Sequence, residues 1–371
     1  MATNQPPALT IGPYTARLPV VQGGMGVHIS LSGLASAVAN EGGIGVIATA
    51  GIGMKEPDVY TNFLEANKRA LRREIQVARE KTKGLIGVNI LVALSNFADM
   101  VRTAVEEEAA FIFSGAALPL SLPSFLEGAT RTKLIPIISS ARSARILIRR
   151  WLDKYRYRPD ALVVEGPKAG GHLGFKPEQI DDPAYALEEL LHPVLREAEA
   201  AGTQDGLPIP VIAAGGIYTG EDMYNVMAMG VSGVQMATRF VTTEECDASE
   251  EFKKAYIDAR LEDLIIIKSP IGLPGRAIRN EFLNQVEAGK RMPYKCPYQC
   301  IVTCDYQNSP YCIALALVNA ARSNLKLGFA FAGTNAYRAD KITTVKEVVR
   351  SLLDEYAQAS SAHASQGTLA Q

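Results

Sequence analysis

The residues best suited to chemistry lie together in one short segment, residues 162–174. It opens with an apolar, β-branched run that predicts a buried strand. The run continues into Glu165 and then into Gly170, Gly171 and His172. Glycines at a strand end let backbone N–H groups approach a ligand that a Cβ would keep away. An imidazole on such a loop is suited to act as a general base near neutral pH. The structural alternative is a histidine that only satisfies loop carbonyls.

Short apolar runs recur eight times between residues 18 and 236, and helical segments fill most of the intervals. This alternation predicts a parallel sheet, because each crossover needs a helix to return the chain. Eight strands are the number that closes a (β/α)8 TIM barrel. An open doubly wound sheet is the alternative, but no Gly-x-Gly-x-x-Gly follows the first strand and opens a helix. The predicted fold class is therefore α/β, a TIM barrel.

Past about residue 240 the pattern changes, and a smaller, mostly helical domain is predicted to form a lid over the substrate. Within it, residues 277–288 are predicted to be helical, and the loops 270–275 and 329–335 to cover the site. Thr343 or Thr344 is the expected N-cap of a closing helix. The predicted divisions are the barrel at 1–240, the lid domain at 241–342, the closing helix at 343–358 and a disordered tail at 359–371.

Two loops in the second half of the barrel have the composition of a phosphate site. Gly215 and Gly216 follow the seventh apolar run, and the segment ending at Thr238 follows the eighth. In TIM barrels these two loops commonly bind a phosphate through backbone N–H groups. The glycines would let the backbone approach the anion, and Thr238 would add a hydroxyl donor. The alternative is that both segments are only tight turns of the barrel.

Taken together, these motifs resemble, in order and spacing, the nitronate monooxygenases (2-nitropropane dioxygenases). The Ala-Gly-Gly-His loop is shared with the FMN-dependent enoyl-ACP reductases. The resemblance spans residues 18 to about 240, and it implies FMN bound non-covalently at the barrel mouth with His172 as catalytic base. Met25 and Asn89 would contact the isoalloxazine. The implied FMN-binding residues are Gly24, Met25, Gly26, Asn89, Glu165, Gly170, Gly171, Gly215, Gly216, Gln235, Met236, Ala237 and Thr238.

The activity implied by the resemblance is the oxidation of alkyl nitronates by FMN and molecular oxygen. Nitroalkanes would also be substrates if His172 abstracts the α-proton. The same scaffold is compatible with an NAD(P)H-dependent reductase of an enoyl thioester or quinone, because function depends on the pocket. A third hypothesis is an electron-transfer or flavin-storage protein. The expected partners are a small-molecule substrate and oxygen, and a homodimer is compatible with the sequence.

One residue departs from the family pattern. Lys168 stands where family members often carry an acidic residue, two positions before Gly170. The reversed charge favours an anionic substrate or cofactor. A solvated lysine with no role in binding is the alternative.

A second departure is a cluster of cysteines with the spacing Cys296-x3-Cys300-x3-Cys304-x7-Cys312. Pro297 can open a helix, which would place Cys300 and Cys304 on one face. Four thiolates this close in sequence could hold zinc or an iron–sulfur cluster. The spacing fits neither the Cys-x2-Cys zinc pattern nor the bacterial ferredoxin run. The alternative is a group of small buried hydrophobes.

Composition limits the remaining possibilities. The 371 residues are 47% hydrophobic and 21% charged, which is typical of a globular protein. A net charge of −1 predicts no nucleic-acid or anionic-membrane partner. The sequence has neither an uninterrupted apolar stretch of about 18 residues nor an N-terminal apolar segment like that of a signal peptide. A cytoplasmic protein without disulfides is expected.

Overall fold

The computed structural model describes residues 5–202, 206–290, 295–296 and 298–369. Over these residues the strands, numbered in chain order, are β1 (Leu9–Ile11), β2 (Tyr14–Ala16), β3 (Val20–Gln22), β4 (Ile44–Ala48), β5 (Leu85–Leu91), β6 (Phe111–Gly115), β7 (Lys133–Ile138), β8 (Leu162–Glu165), β9 (Gly171–His172), β10 (Val211–Ala214), β11 (Gly233–Met236), β12 (Leu264–Lys268) and β13 (Pro274–Ile278).

Eight of these strands form a closed parallel barrel in the order β3-β4-β5-β6-β7-β8-β10-β11. The barrel closes where β11 pairs in parallel with β3, with Val21 opposite Gln235. Seven of the eight strands are mostly apolar and buried on both faces, as parallel strands between a packed interior and outer helices must be. The predicted TIM barrel is confirmed.

Some of the described helices follow strands of the barrel, and the others lie beyond it in the chain. The described helices are α1 (Ser32–Asn40), α2 (Phe63–Lys81), α3 (Phe97–Glu106), α4 (Ala141–Tyr155), α5 (Leu187–Ala200), α6 (Gly220–Ala228), α7 (Thr238–Val241), α8 (Glu250–Ile257), α9 (Glu281–Glu287), α10 (Ile313–Ala321) and α11 (Val345–Leu369). None of the helices in the described part of the chain is long and apolar enough to cross a bilayer.

An antiparallel hairpin, β1 with β2, packs against one end of the barrel. Leu9 and Ile11 are buried in the same cluster as Val21 and Phe111 of the barrel interior. Phe111 is the first residue of β6, so the hairpin lies at the amino-terminal end of the strands. The carboxyl ends, where the glycine-rich loops begin, remain available for a ligand.

The region beyond the barrel contains helices, as expected, but it also contains a sheet. The predicted helix over 277–288 is wrong in its first part, because β13 runs to Ile278 and pairs with β12. The chain becomes helical only after Asn280, whose side chain accepts a hydrogen bond from the backbone N–H of Leu283 and so caps α9.

The closing helix also extends further than expected. Thr344 accepts a hydrogen bond from the backbone N–H of Glu347, which fits one of the two predicted N-caps. The helix then continues to Leu369, through the segment predicted as a disordered tail. Residues 357–365 are rich in alanine, the residue with the strongest helix propensity, so the composition supports continued helix.

Trp151 on α4 offers a direct test of the packing between helices and barrel. Its side chain is fully buried, and its indole N–H donates to the carbonyl of Pro119 at 3.0 Å. Trp151→Ala should lower the free energy of unfolding by about 3–5 kcal/mol, because it leaves a cavity and an unpaired carbonyl. Trp151→Phe, the control, keeps a ring and should cost about 1–2 kcal/mol. Urea unfolding followed by circular dichroism measures both, and equal losses would contradict this account of the packing.

Candidate active site

A cavity of about 1030 Å³ opens at the carboxyl ends of the barrel strands. It is lined by His172 and by all the residues that the family resemblance implied for FMN. Those residues are Gly24, Met25, Gly26, Asn89, Glu165, Gly170, Gly171, Gly215, Gly216, Gln235, Met236, Ala237 and Thr238. Residues at or after the ends of five barrel strands therefore meet in one cavity, although the sequence separates the first from the last by more than 200 positions.

The two loops expected to bind phosphate lie side by side, because β10 and β11 are paired neighbours. Gly215 and Gly216 both have φ near +92°, a conformation that favours glycine. A Cβ on Gly215 would lie 2.7 Å from the carbonyl oxygen of Gly166, and one on Gly216 would lie 3.0 Å from Lys168 Cβ. The site thus requires bare backbone at this turn.

A loop from the lid region holds this turn in place. The Asn335 side-chain amide donates to the carbonyl of Gly216 at 2.7 Å. The Thr238 hydroxyl accepts from the backbone N–H of Gly333 at 3.1 Å. Because the hydroxyl acts as acceptor in that bond, it can still donate its own hydrogen to an anion.

Lys168 lies at the same end of the cavity. Its side chain is exposed and passes beside Gly216. The buried guanidinium of Arg276 fixes the loop by donating to the carbonyls of Pro167 at 2.5 Å and Ala169 at 2.8 Å. The departure from the family pattern therefore places a lysine side chain next to the predicted phosphate site.

The deeper part of the cavity contains Asn89 and Glu165. The Asn89 carbonyl accepts from both the backbone N–H and the hydroxyl of Thr49, each at 3.0 Å, which fixes the end of β5. Glu165 ends β8 and lies opposite Ala214 in the sheet. Burial raises the pKa of Glu165 to about 7. Its carboxyl group is therefore protonated in a large fraction of molecules at neutral pH and can donate a hydrogen bond.

His172 is held more firmly than a loop residue. It does not lie on a loop as expected from the sequence, because Gly171 and His172 form the short strand β9, which pairs with β13. Its Nε2 lies 2.7 Å from the hydroxyl oxygen of Ser269. The ring also makes an edge contact with Phe331, with centroids 4.9 Å apart. Burial lowers its pKa to about 4, so the imidazole is neutral at pH 7.

Four residues that matter for this geometry were missed by sequence reasoning. Ser269 is 97 positions from His172, and the others, Arg276, Phe331 and Asn335, are also far away in sequence. No motif marks them, since each contributes one contact through tertiary packing. Their only sequence signal is that they lie in or beside the two loops expected to cover the site, which do contribute lining residues such as Ile271 and Gly333.

The four cysteines of the predicted cluster, Cys296, Cys300, Cys304 and Cys312, line a second cavity of about 340 Å³. Cys300 and Cys304 do not share a helical face as predicted, because Ile301 forms an antiparallel bridge with Leu94. Pro297, the expected start of that helix, lies outside the described residues. Among the residues described, no three His, Cys, Asp or Glu side chains form a group that could hold a metal ion. A single zinc ion therefore does not fit this arrangement.

Comparison with known proteins gives concordant results. The nitronate monooxygenase family model matches residues 9–355. A (3aS,4S,5R,7aS)-5-hydroxy-7a-methyl-1-oxo-octahydro-1H-indene-4-carboxyl-CoA dehydrogenase of Mycobacterium tuberculosis is 30% identical over 74% of the chain. That match spans 66% of the relative's length, just under two thirds. A probable nitronate monooxygenase of Staphylococcus aureus is 25% identical over 72% of the chain and 77% of its own length.

Solved structures show the same fold. FabK from Thermotoga maritima is 27% identical, with a TM-score of 0.72 over 95% of this chain and 96% of that chain. The nitroalkane oxidase of Streptomyces ansochromogenes is 22% identical, with a TM-score of 0.70 over 93% of this chain and 97% of that chain, which supports the fold alone. Because the family model covers nearly the whole chain, this protein belongs to the nitronate monooxygenase family.

Proposed function

We propose that the protein oxidises alkyl nitronates, and the nitroalkanes from which they form, with FMN and molecular oxygen. The observation that carries this proposal is the neutral imidazole of His172 at the cavity that the predicted FMN-binding residues line. A neutral imidazole accepts a proton, which is what the oxidation of a nitroalkane requires of the protein.

The residues present fit FMN. Gly171 has φ of +78° and no atom within 4 Å of the position where a Cβ would stand, so the backbone there faces open space. The Gly215–Gly216 turn and the Thr238 hydroxyl would bind the phosphate, with the Lys168 ammonium as a counter-charge. The bound flavin would supply the electron sink of the reaction.

The chain's own task is then to position the substrate and to move one proton. His172 would take the α-proton of a neutral nitroalkane. Ser269 and Phe331 orient the ring, since one bonds Nε2 and the other packs against the imidazole at an interplanar angle of 63°. A preformed nitronate has already lost this proton, so its oxidation needs only the positioning.

A second candidate is an NAD(P)H-dependent reductase of an enoyl thioester or quinone. The size of the cavity favours it, because about 1030 Å³ is at the top of the ~300–1,000 Å³ range of ligand sites and leaves room beyond a cofactor. Reduction of an enoyl group needs a proton donor; His172 is deprotonated at neutral pH, so the buried carboxyl of Glu165 would have to supply that proton. Anaerobic oxidation of NADH with an added acceptor, without oxygen uptake on nitronates, would favour this candidate.

The protonation state of His172 can be measured directly. In flavin-free protein its ring should titrate near pH 4, well below the ordinary value of 6.5, because burial disfavours the charged form. The unfolded chain binds this proton from about pH 6.5 downward. The free energy of unfolding should therefore fall as the pH drops from 6.5 to 4.

The chain has four histidines, so NMR of ring-labelled histidine gives a simple spectrum. His172→Gln assigns the resonance by its absence. A His172 titration midpoint near 6.5 would show that the ring is not desolvated as the structure indicates.

The phosphate turn can be tested with a matched pair of glycines. Gly216→Ala should raise the dissociation constant of FMN at least about tenfold, because the new methyl group crowds Lys168 and strains the turn. Gly128→Ala is the control: Gly128 has a similar φ of +89°, no atom within 4 Å, and no part in the cavity. Fluorescence titration of the flavin-free proteins measures both. If both variants bound FMN equally well, the phosphate would have to bind elsewhere.

The base assignment predicts a difference between two substrates. His172→Gln should lower kcat/KM for a neutral nitroalkane by about 10²–10⁴-fold, the usual contribution of a general base. Activity on the preformed nitronate should persist. His192→Gln, an exposed histidine on α5, is the matched control and should change neither rate. Oxygen uptake with each substrate, at confirmed flavin occupancy, measures these rates. If His172→Gln lost the same fraction of activity on both substrates, His172 could not be a base that acts only on the neutral nitroalkane.

A further inference from the structure

Four of the chain's five cysteines face a common cavity that the proposed oxidation does not use. Cys296, Cys300, Cys304 and Cys312 all line the cavity of about 340 Å³, and we call this group the cysteine pocket. None of the four forms a disulfide. The other lining residues include the apolar side chains of Ile301, Val302, Ile313 and Ala314. The sulfur atoms are therefore the soft ligand atoms that this cavity offers.

Groups of thiolates select soft metals, chiefly zinc, copper(I) and iron in iron–sulfur clusters. A single zinc ion binds each sulfur at ~2.3 Å, so its ligands must converge on one point. In the described structure no such convergence exists. An iron–sulfur cluster instead takes its cysteines on different iron atoms. Four cysteines that line one cavity suit such an arrangement better than they suit a single zinc ion.

The backbone around the pocket is fixed by the barrel. The carbonyl of Cys300 accepts from the backbone N–H of Ser95 at 3.1 Å, and the N–H of Val302 donates to the carbonyl of Ala93 at 2.9 Å. Cys312 is the N-cap residue of the nine-residue helix α10. The positive end of that helix favours an anionic group such as a thiolate-bound cluster. The backbone at Cys300 is therefore held by a hydrogen bond, and the backbone at Cys312 is held by the start of α10.

From this arrangement we propose that the cysteine pocket binds an iron–sulfur cluster through Cys296, Cys300, Cys304 and Cys312. The cluster would lie next to the flavin cavity, because Cys300 lines both cavities, as do Ile301 and Ile313. The proposal does not depend on the substrate of the flavin, since it rests on a different cavity.

The test is the metal and sulfide content of the full-length protein. We expect protein purified without oxygen, or reconstituted with ferrous iron and sulfide, to contain iron and acid-labile sulfide in about equal amounts. Cys304→Ser should lose at least half of both, because it removes one of the four ligands. Cys304 does not line the flavin cavity, so this variant should keep its flavin, which reports that it is folded.

Cys246→Ser is the matched control. Cys246 is buried, donates to the carbonyl of Ile29 at 3.4 Å and lies outside the cysteine pocket, so its variant should keep the full iron and sulfide content. Wild-type protein that stays free of iron and sulfide after reconstitution, or that binds only zinc, would overturn the proposal even if the variants failed to fold. Full retention of iron and sulfide by Cys304→Ser would overturn it as well.

Discussion

The short antiparallel pairing of β9 with β13 determines how the two parts of this chain meet. Two residues of the barrel loop, Gly171 and His172, pair with Arg276 and Gly275 of the lid region. The same contact brings Ser269 to the imidazole. It also lets Arg276 bind the carbonyls that precede the glycines. Without this pairing, the glycine-rich loop would have neither a fixed imidazole nor a fixed backbone.

Burial sets the protonation states of the ionisable groups in this cavity. Partial burial of His172 lowers the pKa of the imidazole, whereas burial of Glu165 raises the pKa of its carboxyl. Both groups are thereby shifted toward their neutral forms, one as a proton acceptor and the other as a proton donor. Perturbed acids and bases in one cavity are typical of catalytic sites. The oxidoreductase family of the chain agrees with this arrangement.

Much of the barrel could be predicted from the sequence, because each strand is a local apolar run and each helix has a local period. The apolar run Ile44–Ala48, for example, forms strand β4. The glycines could be placed at one cavity because parallel strands end on the same side of a barrel. Their roles in binding FMN remain predictions, since the structure shows where they lie and the comparisons show only the family.

The region beyond the barrel was harder to predict for a physical reason. The segment 274–278 is extended because it pairs with strands on both sides, and those partners are set by tertiary packing. The contacts of Ser269 and Asn335 likewise join positions about 100 residues apart. The cysteine spacing suggested a helix, but a bridge from Ile301 to Leu94 overrides that local preference.

We expect a flavin to lie across the barrel mouth between the phosphate turn and His172. A crystal structure of the protein grown with FMN would show where it binds. The phosphate should lie within hydrogen-bonding distance of the Gly216 backbone and Thr238, with the isoalloxazine facing His172. Density for the flavin elsewhere on the protein, or with its phosphate at the His172 end of the cavity, would contradict it.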